Sequence, residues 1–308
     1  MTDTTRQDLA PSLQKSVAQS RKEFVTAMAN IRPRLHKFST RMCGSPFDGE
    51  DVVQEVLADA FYNLSSLKDA AKFESWLFRI AYNKCIDFIR RNRARAHEVA
   101  LADEHDAAAT NFDDDAGAIP TDEALATLVG ELPPKERAAL LLKDVLDYSL
   151  SETAEVIDST VGGVKAALHR ARTKLSAVAV APTSTSLDAQ QQRLFAAYAE
   201  CFNQRDWAAL GSLVRADARL EIVGEARGDM AALGATYHTN YDRLPWQWRL
   251  SAGLVGSEVA VVHWRKRDAE WLPQSAIRLW WVEGKVVRIR DYIHVDYLLS
   301  LFPPAVSV

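Results

Sequence analysis

Residues 73–93 read FESWLFRIAYNKCIDFIRRNR, and this stretch decides the N-terminal part of the fold. Its apolar residues recur at helical spacing, which predicts an amphipathic helix over about residues 73–95. The inward-facing stripe is Leu77, Ile80, Ala81, Cys85 and Phe88. The other face is basic and aromatic, so it can neutralise phosphates and stack on or hydrogen-bond an unstacked base. On residue types alone, a solvated basic helix over a buried aromatic stripe is an equally good interpretation.

The charge of the chain is strongly segregated, although its formal net value is only −4. Basic residues crowd the end of the predicted helix at Lys84, Arg90, Arg91, Arg93 and Arg95. Between Ala96 and Pro134 no Lys or Arg occurs, and the stretch is acidic, which is typical of a flexible linker. The balanced total therefore hides one basic segment followed by one acidic segment.

The three cysteines, Cys43, Cys85 and Cys201, lie far apart, which supports neither a disulfide framework nor a zinc site. No metal or other cofactor is expected. The first thirty residues lack the apolar core of a signal peptide, and no run approaches the ~20 apolar residues of a membrane span. These features predict a cytoplasmic protein that has no membrane partner.

A second DNA-binding element is predicted around residues 147–175. Short helices are expected at about 122–131, 134–145, 149–157 and 161–178. Ser149 and Glu152 have capping-box spacing, and residues 158–160 form the turn of a helix-turn-helix. A recognition helix places its first residues in the major groove. The candidates for base contacts are Thr160, Gly163, Lys165 and Ala166. Farther along the helix, His169 is a further DNA-binding candidate, and Arg170 and Arg172 are candidates for phosphate contacts.

The first block resembles region 2 of extracytoplasmic-function (ECF) sigma factors of the sigma-70 family. The family pattern is present at Phe73, Trp76, Leu77, Ile80, Ala81, Asn83, Asp87, Arg90 and Arg91. The helix predicted from about Asp48 to Leu64 resembles the family's polymerase-docking helix. The resemblance implies core polymerase contacts at Asp51, Gln54, Glu55 and Asp59, and these residues otherwise read as the solvated face of an amphipathic helix. It further implies capture of a flipped minus-10 base near residues 65–72, with DNA contacts at Lys72, Arg79, Asn83, Lys84, Arg90 and Arg91. Trp76 is interpreted as core rather than as a base platform.

The second block resembles sigma region 4, and its Val-Lys-x-x-Leu-His-Arg-Ala-Arg run is present from Val164 to Arg172. This implies binding to a minus-35 element. Helix-turn-helix patterns alone are weakly specific, but two blocks that both resemble the family, in the expected order and joined by an acidic linker, are highly specific. Together they cover about residues 20–178.

The C-terminal part is predicted as helix, short helix, strand, helix and then an antiparallel meander at about residues 246–254, 259–266, 275–282 and 286–293. This order, with Phe202 to Leu210, resembles the SnoaL-like branch of the cystatin-like cone fold. That resemblance implies a domain that modulates promoter binding in cis. Some relatives are catalytic, so acid–base candidates were identified at Asp217, Glu221, His238, His263, Asp291 and His294. The favoured interpretation is that they are core or rim polar groups, with Asp291 and His294 diverging.

Departures from the extended-sigma pattern occur at residues 180–186, 224–229 and 294–298. They put in doubt whether regulation uses the same contacts as in relatives.

The expected architecture is therefore multidomain. An all-α region 2 bundle occupies 16–97, an acidic linker 98–122, an all-α region 4 helix-turn-helix 123–178, a linker 179–187, and a SnoaL-like α+β cone with a mixed or antiparallel curved sheet 188–302. The predicted function is that of a non-enzymatic ECF sigma factor with core RNA polymerase and promoter DNA as partners, and with its C-terminal domain contacting the sigma domains. Two alternatives stay open, a regulator that senses a small ligand and a SnoaL-like enzyme fused to a DNA-binding module.

Overall fold

The computed structural model describes residues 24, 26–67, 69–102, 132–177, 189–256, 258–300 and 304. Most of both predicted linkers and the helix predicted at 122–131 lie outside the described residues. The chain divides into two compact units. The first comprises described residues of 24–39, 51–102 and 133–171, and the second comprises 40–50, 132, 172–177 and those from 189 onward.

The described residues of the N-terminal part form three helices, which agrees with the all-α prediction. They are α1 (26–43), α2 (Pro46–Tyr62) and α3 (Phe73–Ala102), with 3₁₀ turns at Leu64–Ser66 and Ala70–Lys72 between the last two. In the first unit, the predicted stripe of α3 is buried at Leu77, Ala81 and Cys85 and half-buried at Ile80 and Phe88, and α2 buries Val53, Val56 and Ala60. Phe38 packs edge-to-face on Phe78 with ring centroids 5.6 Å apart, so α1 and α3 share one core.

The helix-turn-helix follows the local signals in the sequence. Its helices are α4 (Pro134–Leu140), which continues as a π-helical turn at Leu141–Val145, then α5 (Leu150–Val156) and α6 (Val161–Ala177). Pro134 occupies the first turn of α4, where its missing N–H costs nothing. The predicted capping box is confirmed, because the Ser149 hydroxyl accepts from Glu152 N–H and the Glu152 carboxylate accepts from Ser149 N–H.

The second unit contains an α+β domain in the predicted element order. The elements are α7 (Ala189–Gln204), α8 (Trp207–Leu213), β1 (Val214–Ile222), β2 (Ala226–Asp229), α9 (Met230–Asp242), β3 (Trp248–Val255), β4 (Glu258–Arg267), β5 (Glu270–Val282) and β6 (Lys285–Asp291). The strand order is β2-β1-β6-β5-β4-β3. Strands β3 to β6 form the predicted antiparallel meander, but β1 pairs in parallel with β6, so the sheet is mixed.

Each face of this sheet carries its own apolar cluster. One cluster lies under α7, α8 and α9 and includes Phe202, Tyr237, Tyr241, Val261 and Ile289. The cluster on the other face gathers Val223, Val255, Ala260, Val262, Ala276, Tyr292, Val295 and Leu298 around the fully buried ring of Phe47. Phe47 belongs to the first turn of α2, so residues 40–50 pack with the C-terminal sheet as part of the second unit.

Candidate nucleic-acid interface

The six side chains predicted to contact the minus-10 element fall into three groups in the first unit. Lys84 and Arg91 turn toward α2, and Lys72 and Arg79 turn toward the helix-turn-helix. Asn83 is exposed, and Arg90 lies 3.8 Å from Asp87 one turn earlier on the same helix. The structure therefore does not present these residues as one uniform basic face.

Lys84 and Arg91 join the predicted DNA-contacting helix to the predicted polymerase-contacting helix. Lys84 Nζ lies 2.8 Å from Asp59 Oδ2 and 3.7 Å from Glu55 Oε2, and Arg91 Nη2 lies 3.8 Å from Glu55 Oε1. The hydrogen bond to Asp59 raises the pKa of Lys84, so its ammonium stays charged. Ion pairs at this exposure contribute about 0–1 kcal/mol each. An incoming carboxylate or phosphate can therefore replace the acidic partner of either cation at little cost.

The predicted polymerase-contacting residues lie along successive turns of α2. Glu55 is exposed, whereas Asp51, Gln54 and Asp59 are half-buried. The apolar residues between them, Val52, Val53 and Val56, are buried. This places the four polar residues on the outer side of a helix whose inner side is fully packed.

Lys72 and Arg79 have acidic partners in the helix-turn-helix. Lys72 Nζ lies 2.8 Å from Glu155 Oε1, and Arg79 Nη2 lies 3.8 Å from Asp158 Oδ1. The hydrogen bond to Glu155 raises the pKa of Lys72. Neither acid is predictable from the sequence as a partner of these cations. The two members of each pair lie about eighty positions apart, and no local pattern relates residues at that distance.

The turn before α6 is held by its own side chains. Asp158 adopts a left-handed backbone with φ of 49°, and Thr160 Oγ1 accepts a hydrogen bond from Gly163 N–H at 3.0 Å. Thr160 thus caps the N-terminus of α6. One lone pair of its hydroxyl is already engaged, so any base contact from this residue would come from its methyl group, its O–H donor or its remaining lone pair.

The exposed side of α6 carries most of the predicted minus-35 residues. Lys165, Ala166, His169, Arg170 and Arg172 are exposed, whereas Val164, Ala167, Leu168 and Ala171 are buried. Arg170 Nε lies 2.7 Å from Glu136 Oε1 of α4, and the Glu136 side chain is only 8% exposed. Arg170 therefore holds the helix-turn-helix together in addition to facing solvent.

Gly162 offers a direct test of how closely DNA approaches α6. A Cβ at this position would meet only Thr160 Oγ1 at 3.9 Å, so alanine fits sterically. We expect Gly162→Ala to stabilise the protein by up to about 1 kcal/mol, because alanine is the better helix former. If the glycine admits the DNA backbone, duplex affinity should fall about threefold or more while stability rises. Anisotropy titration and denaturant unfolding of the same sample measure both, and unchanged affinity would contradict the close approach.

The six acid–base candidates of the C-terminal domain are held by separate partners. Asp217 pairs with Arg215, Glu221 with Arg227 and Arg290, and the exposed His294 with Glu225. His263 is buried with Nδ1 3.3 Å from Ser275 Oγ, and burial, helped by Arg265, lowers its pKa to about 4. The His238 ring stacks on Trp207 with centroids 4.4 Å apart. Asp291 is fully buried whereas His294 is exposed, yet His294 lies near enough to act electrostatically on the Asp291 carboxyl.

A groove of 540 Å³ lies between α8, α9 and β1, and its lining includes Trp207, His238 and Asp242. The Asp242 carboxylate accepts from Arg205 Nε at 3.0 Å. Burial lowers the pKa of His238, which keeps this imidazole neutral near pH 7. The groove thus contains a neutral histidine and an acid already paired with arginine, an arrangement without an evident acid–base couple.

Asp291 lies at the centre of a polar group inside the domain core. Its Oδ2 accepts from the Tyr241 hydroxyl at 2.7 Å, and its Oδ1 accepts from Ile293 N–H at 2.9 Å. Burial raises the pKa of Asp291 to about 6, although both hydrogen bonds oppose the rise. The carboxyl group is therefore easier to protonate in the folded domain than in the unfolded chain.

This raised pKa predicts a pH-dependent stability. Between about pH 4 and pH 6 the unfolded chain loses the Asp291 proton and the folded domain keeps it, so stability falls as pH rises through that window. We expect Asp291→Asn to gain up to about 3 kcal/mol relative to wild type between about pH 4 and pH 7. Urea unfolding of wild type and of Asp291→Asn, at about pH 4 and at about pH 7, measures how the difference in stability changes with pH. A constant difference across the window would mean that Asp291 is ionised in the fold.

The described part of the chain holds no cluster of three or more His, Cys, Asp or Glu side chains arranged to bind a metal ion. In the same residues, no helix is long and apolar enough to cross a membrane.

Together, the geometry defines a two-part DNA-binding protein, with one basic helix beside an acidic helix and a separate helix-turn-helix. Family models agree with this class. Residues 28–95 match Sigma-70 region 2, and residues 122–175 match Sigma-70, region 4. The ECF RNA polymerase sigma factor SigW of Bacillus subtilis (strain 168) is 30% identical over 178 residues, which span 53% of this chain and 94% of the relative. The chain therefore belongs to the ECF RNA polymerase sigma factors.

Other relatives extend into the C-terminal part. ECF RNA polymerase sigma factor SigG of Mycobacterium tuberculosis is 28% identical over 286 residues, covering 83% of this chain and 77% of the relative. The crystal structure of the Mycobacterium tuberculosis extracytoplasmic function sigma factor SigJ covers 91% of this chain and 99% of its own, at 16% identity and a TM-score of 0.35.

Proposed function

We propose that this ECF sigma factor, which directs RNA polymerase to specific promoters, uses α2 to contact the core enzyme, α3 to contact the minus-10 element and α6 to contact the minus-35 element. The observation that supports this proposal is that the outer faces of these helices bear the polar and basic residues, while their inner faces are packed in the core. Its place of action would be the cytoplasm, with promoter DNA and core polymerase.

Reconstituted transcription tests this proposal. Purified protein and core polymerase should start transcription on a subset of promoter fragments from a bacterial genomic library. Failure on every fragment, with the intact chain and with the chain cut after residue 180, would overturn it.

Individual contacts can be tested on one such promoter. We expect Lys165→Ala to weaken promoter binding by about fivefold or more, because a major-groove contact is worth about 1–3 kcal/mol. Arg267→Ala removes an equal charge from the exposed end of β4 and serves as the matched control. Equal losses in the two variants would mean that Lys165 acts only through overall charge.

We further propose that the C-terminal domain regulates the sigma factor in cis by holding the first turn of α2. Arg278 of β5 supports this, since its Nη1 lies 2.8 Å from Asp48 Oδ1 and its Nη2 lies 2.6 Å from Glu258 Oε2. The Tyr297 hydroxyl donates to Glu50 Oε2 at 2.9 Å, and Glu50 is fully buried. The domain would act by contact and not by catalysis.

A conservative variant tests this regulation. Tyr297→Phe removes only the hydroxyl that binds Glu50. We expect it to change affinity for core polymerase by about threefold or more, because a hydrogen bond contributes about 0.5–1.5 kcal/mol and this one helps to position α2. The direction would show whether the domain restrains or supports docking. Tyr62→Phe, at an exposed position on the last turn of α2, is the control for loss of a hydroxyl. Identical affinities for Tyr297→Phe and wild type would contradict the proposal.

A further inference from the structure

Two ion pairs connect the start of α3 to α5 and to the turn between α5 and α6. They are Lys72–Glu155 and Arg79–Asp158, with all four side chains at least half exposed. Both cations belong to the set that the proposed function assigns to the minus-10 strand. Both acids precede α6 and lie outside the set assigned to the minus-35 duplex.

A buried anchor lies beside these ion pairs. The Tyr148 hydroxyl donates to Glu74 Oε1 at 3.0 Å, and the Arg34 guanidinium pairs with the same carboxylate oxygen. The Tyr148 ring packs on Phe78 with centroids 5.3 Å apart and is only 6% exposed. The contacts between region 4 and region 2 thus include the buried Tyr148 ring with its hydrogen bond to Glu74, and two solvated ion pairs.

A cleft of 640 Å³ remains between the two surfaces. Its walls include Leu67, Ser75 and Trp76 on one side and Ala154, Ser159 and Val161 on the other. The segment predicted to capture a flipped base therefore faces the helix-turn-helix across an open space, with a half-buried tryptophan on the wall.

We propose that the Lys72–Glu155 and Arg79–Asp158 pairs form a latch that single-stranded minus-10 DNA must open, so that region 4 is released when the strand binds. The inference rests on the proposed function of α3. The Glu155 and Asp158 carboxylates take the positions at these cations that strand phosphates would otherwise take.

The strength of the latch suits a reversible switch. Exposed ion pairs contribute about 0–1 kcal/mol each and are screened by salt. A nucleic-acid strand neutralises several cations together and gains from counterion release, so it outcompetes two carboxylates. By linkage, whatever weakens the latch must strengthen binding of the strand.

The first experiment measures strand affinity in the full-length chain. The probe is a fluorescein-labelled single-stranded DNA of random sequence, roughly 12 nucleotides long. We expect the Glu155→Gln/Asp158→Asn variant to bind it about fivefold to tenfold more tightly than wild type at low salt. Asp268→Asn/Glu270→Gln removes the same two charges from the β4–β5 hairpin, and this control should change affinity less than twofold.

The second experiment reads the latch directly. Adding the strand to wild-type protein should accelerate amide hydrogen exchange in residues 150–158, because α5 loses its partner surface. In Glu155→Gln/Asp158→Asn this exchange should already be fast without DNA.

The outcomes separate the two proposals. Tighter binding together with faster exchange supports the latch. Wild-type strand binding with equal affinities in both double variants, or with no change in exchange, overturns the latch and leaves the proposed function standing. If the strand binds neither protein and polymerase starts no transcription, both proposals fail.

Discussion

Arg278→Met is expected to lower the free energy of unfolding of the second unit by about 3 kcal/mol, because it leaves two acids without their shared cation. Arg278 contacts Asp48 and Glu258, and all three side chains are between 19% and 26% exposed. The guanidinium also lies over the rings of Phe47 and Trp280, at 5.4 Å and 5.0 Å from their centroids. Methionine fills part of the space but replaces none of these electrostatic contacts.

The pH dependence of this loss provides an internal check. Burial raises the pKa of Glu258, even though Arg278 and Ser45 act to lower it. Without Arg278 that pKa should rise further, so the deficit should be smaller near pH 5, where Glu258 can take up a proton, than near pH 8. Denaturant unfolding of Arg278→Met and of the exposed control Arg267→Met measures both effects. A loss below about 1 kcal/mol, equal to that of the control, would mean that solvent already screens the network.

Gly49→Ala is expected to destabilise the protein by about 2–3 kcal/mol. A Cβ on Gly49 would lie 2.6 Å from Thr40 N and 2.7 Å from Thr40 Cα, which are backbone atoms that cannot rotate away. The two helices α1 and α2 must then separate at their closest approach, where Phe47 is buried in the second unit.

Gly211→Ala is the matched control, since a Cβ there meets nothing within 4 Å. Because alanine favours helix, this variant should match or exceed wild type by up to about 1 kcal/mol. Thermal unfolding of both variants checks the pair, and similar midpoints would show that α1 adjusts to the added methyl group.

Much of the fold was predictable because its signals are local. The helices α2, α3 and α6 and the capping box at Ser149 follow from signals between residues three or four positions apart, and the structure has them beginning close to where they are predicted. Strand β2 was missed, because Ala226–Asp229 is a four-residue segment without an alternating apolar pattern. The parallel pairing of β1 with β6 was also missed, since Leu220 pairs with Ile289 and no local pattern reports a partner so distant.

The sequence by itself determined the family, the order of its two DNA-binding blocks, and the residue types available on each helix. Those properties depend on residues that are close together in the chain, so they can be predicted from the spacing of residue types along the sequence. Only the tertiary structure decided which charges meet. Lys84 lies against Asp59 and Glu55, and Lys72 lies against Glu155. Three cations of the basic helix at residues 73–93, Arg79, Lys84 and Arg91, are therefore paired with acids of α2 or of the turn before α6, because packing brings these distant parts of the chain within reach.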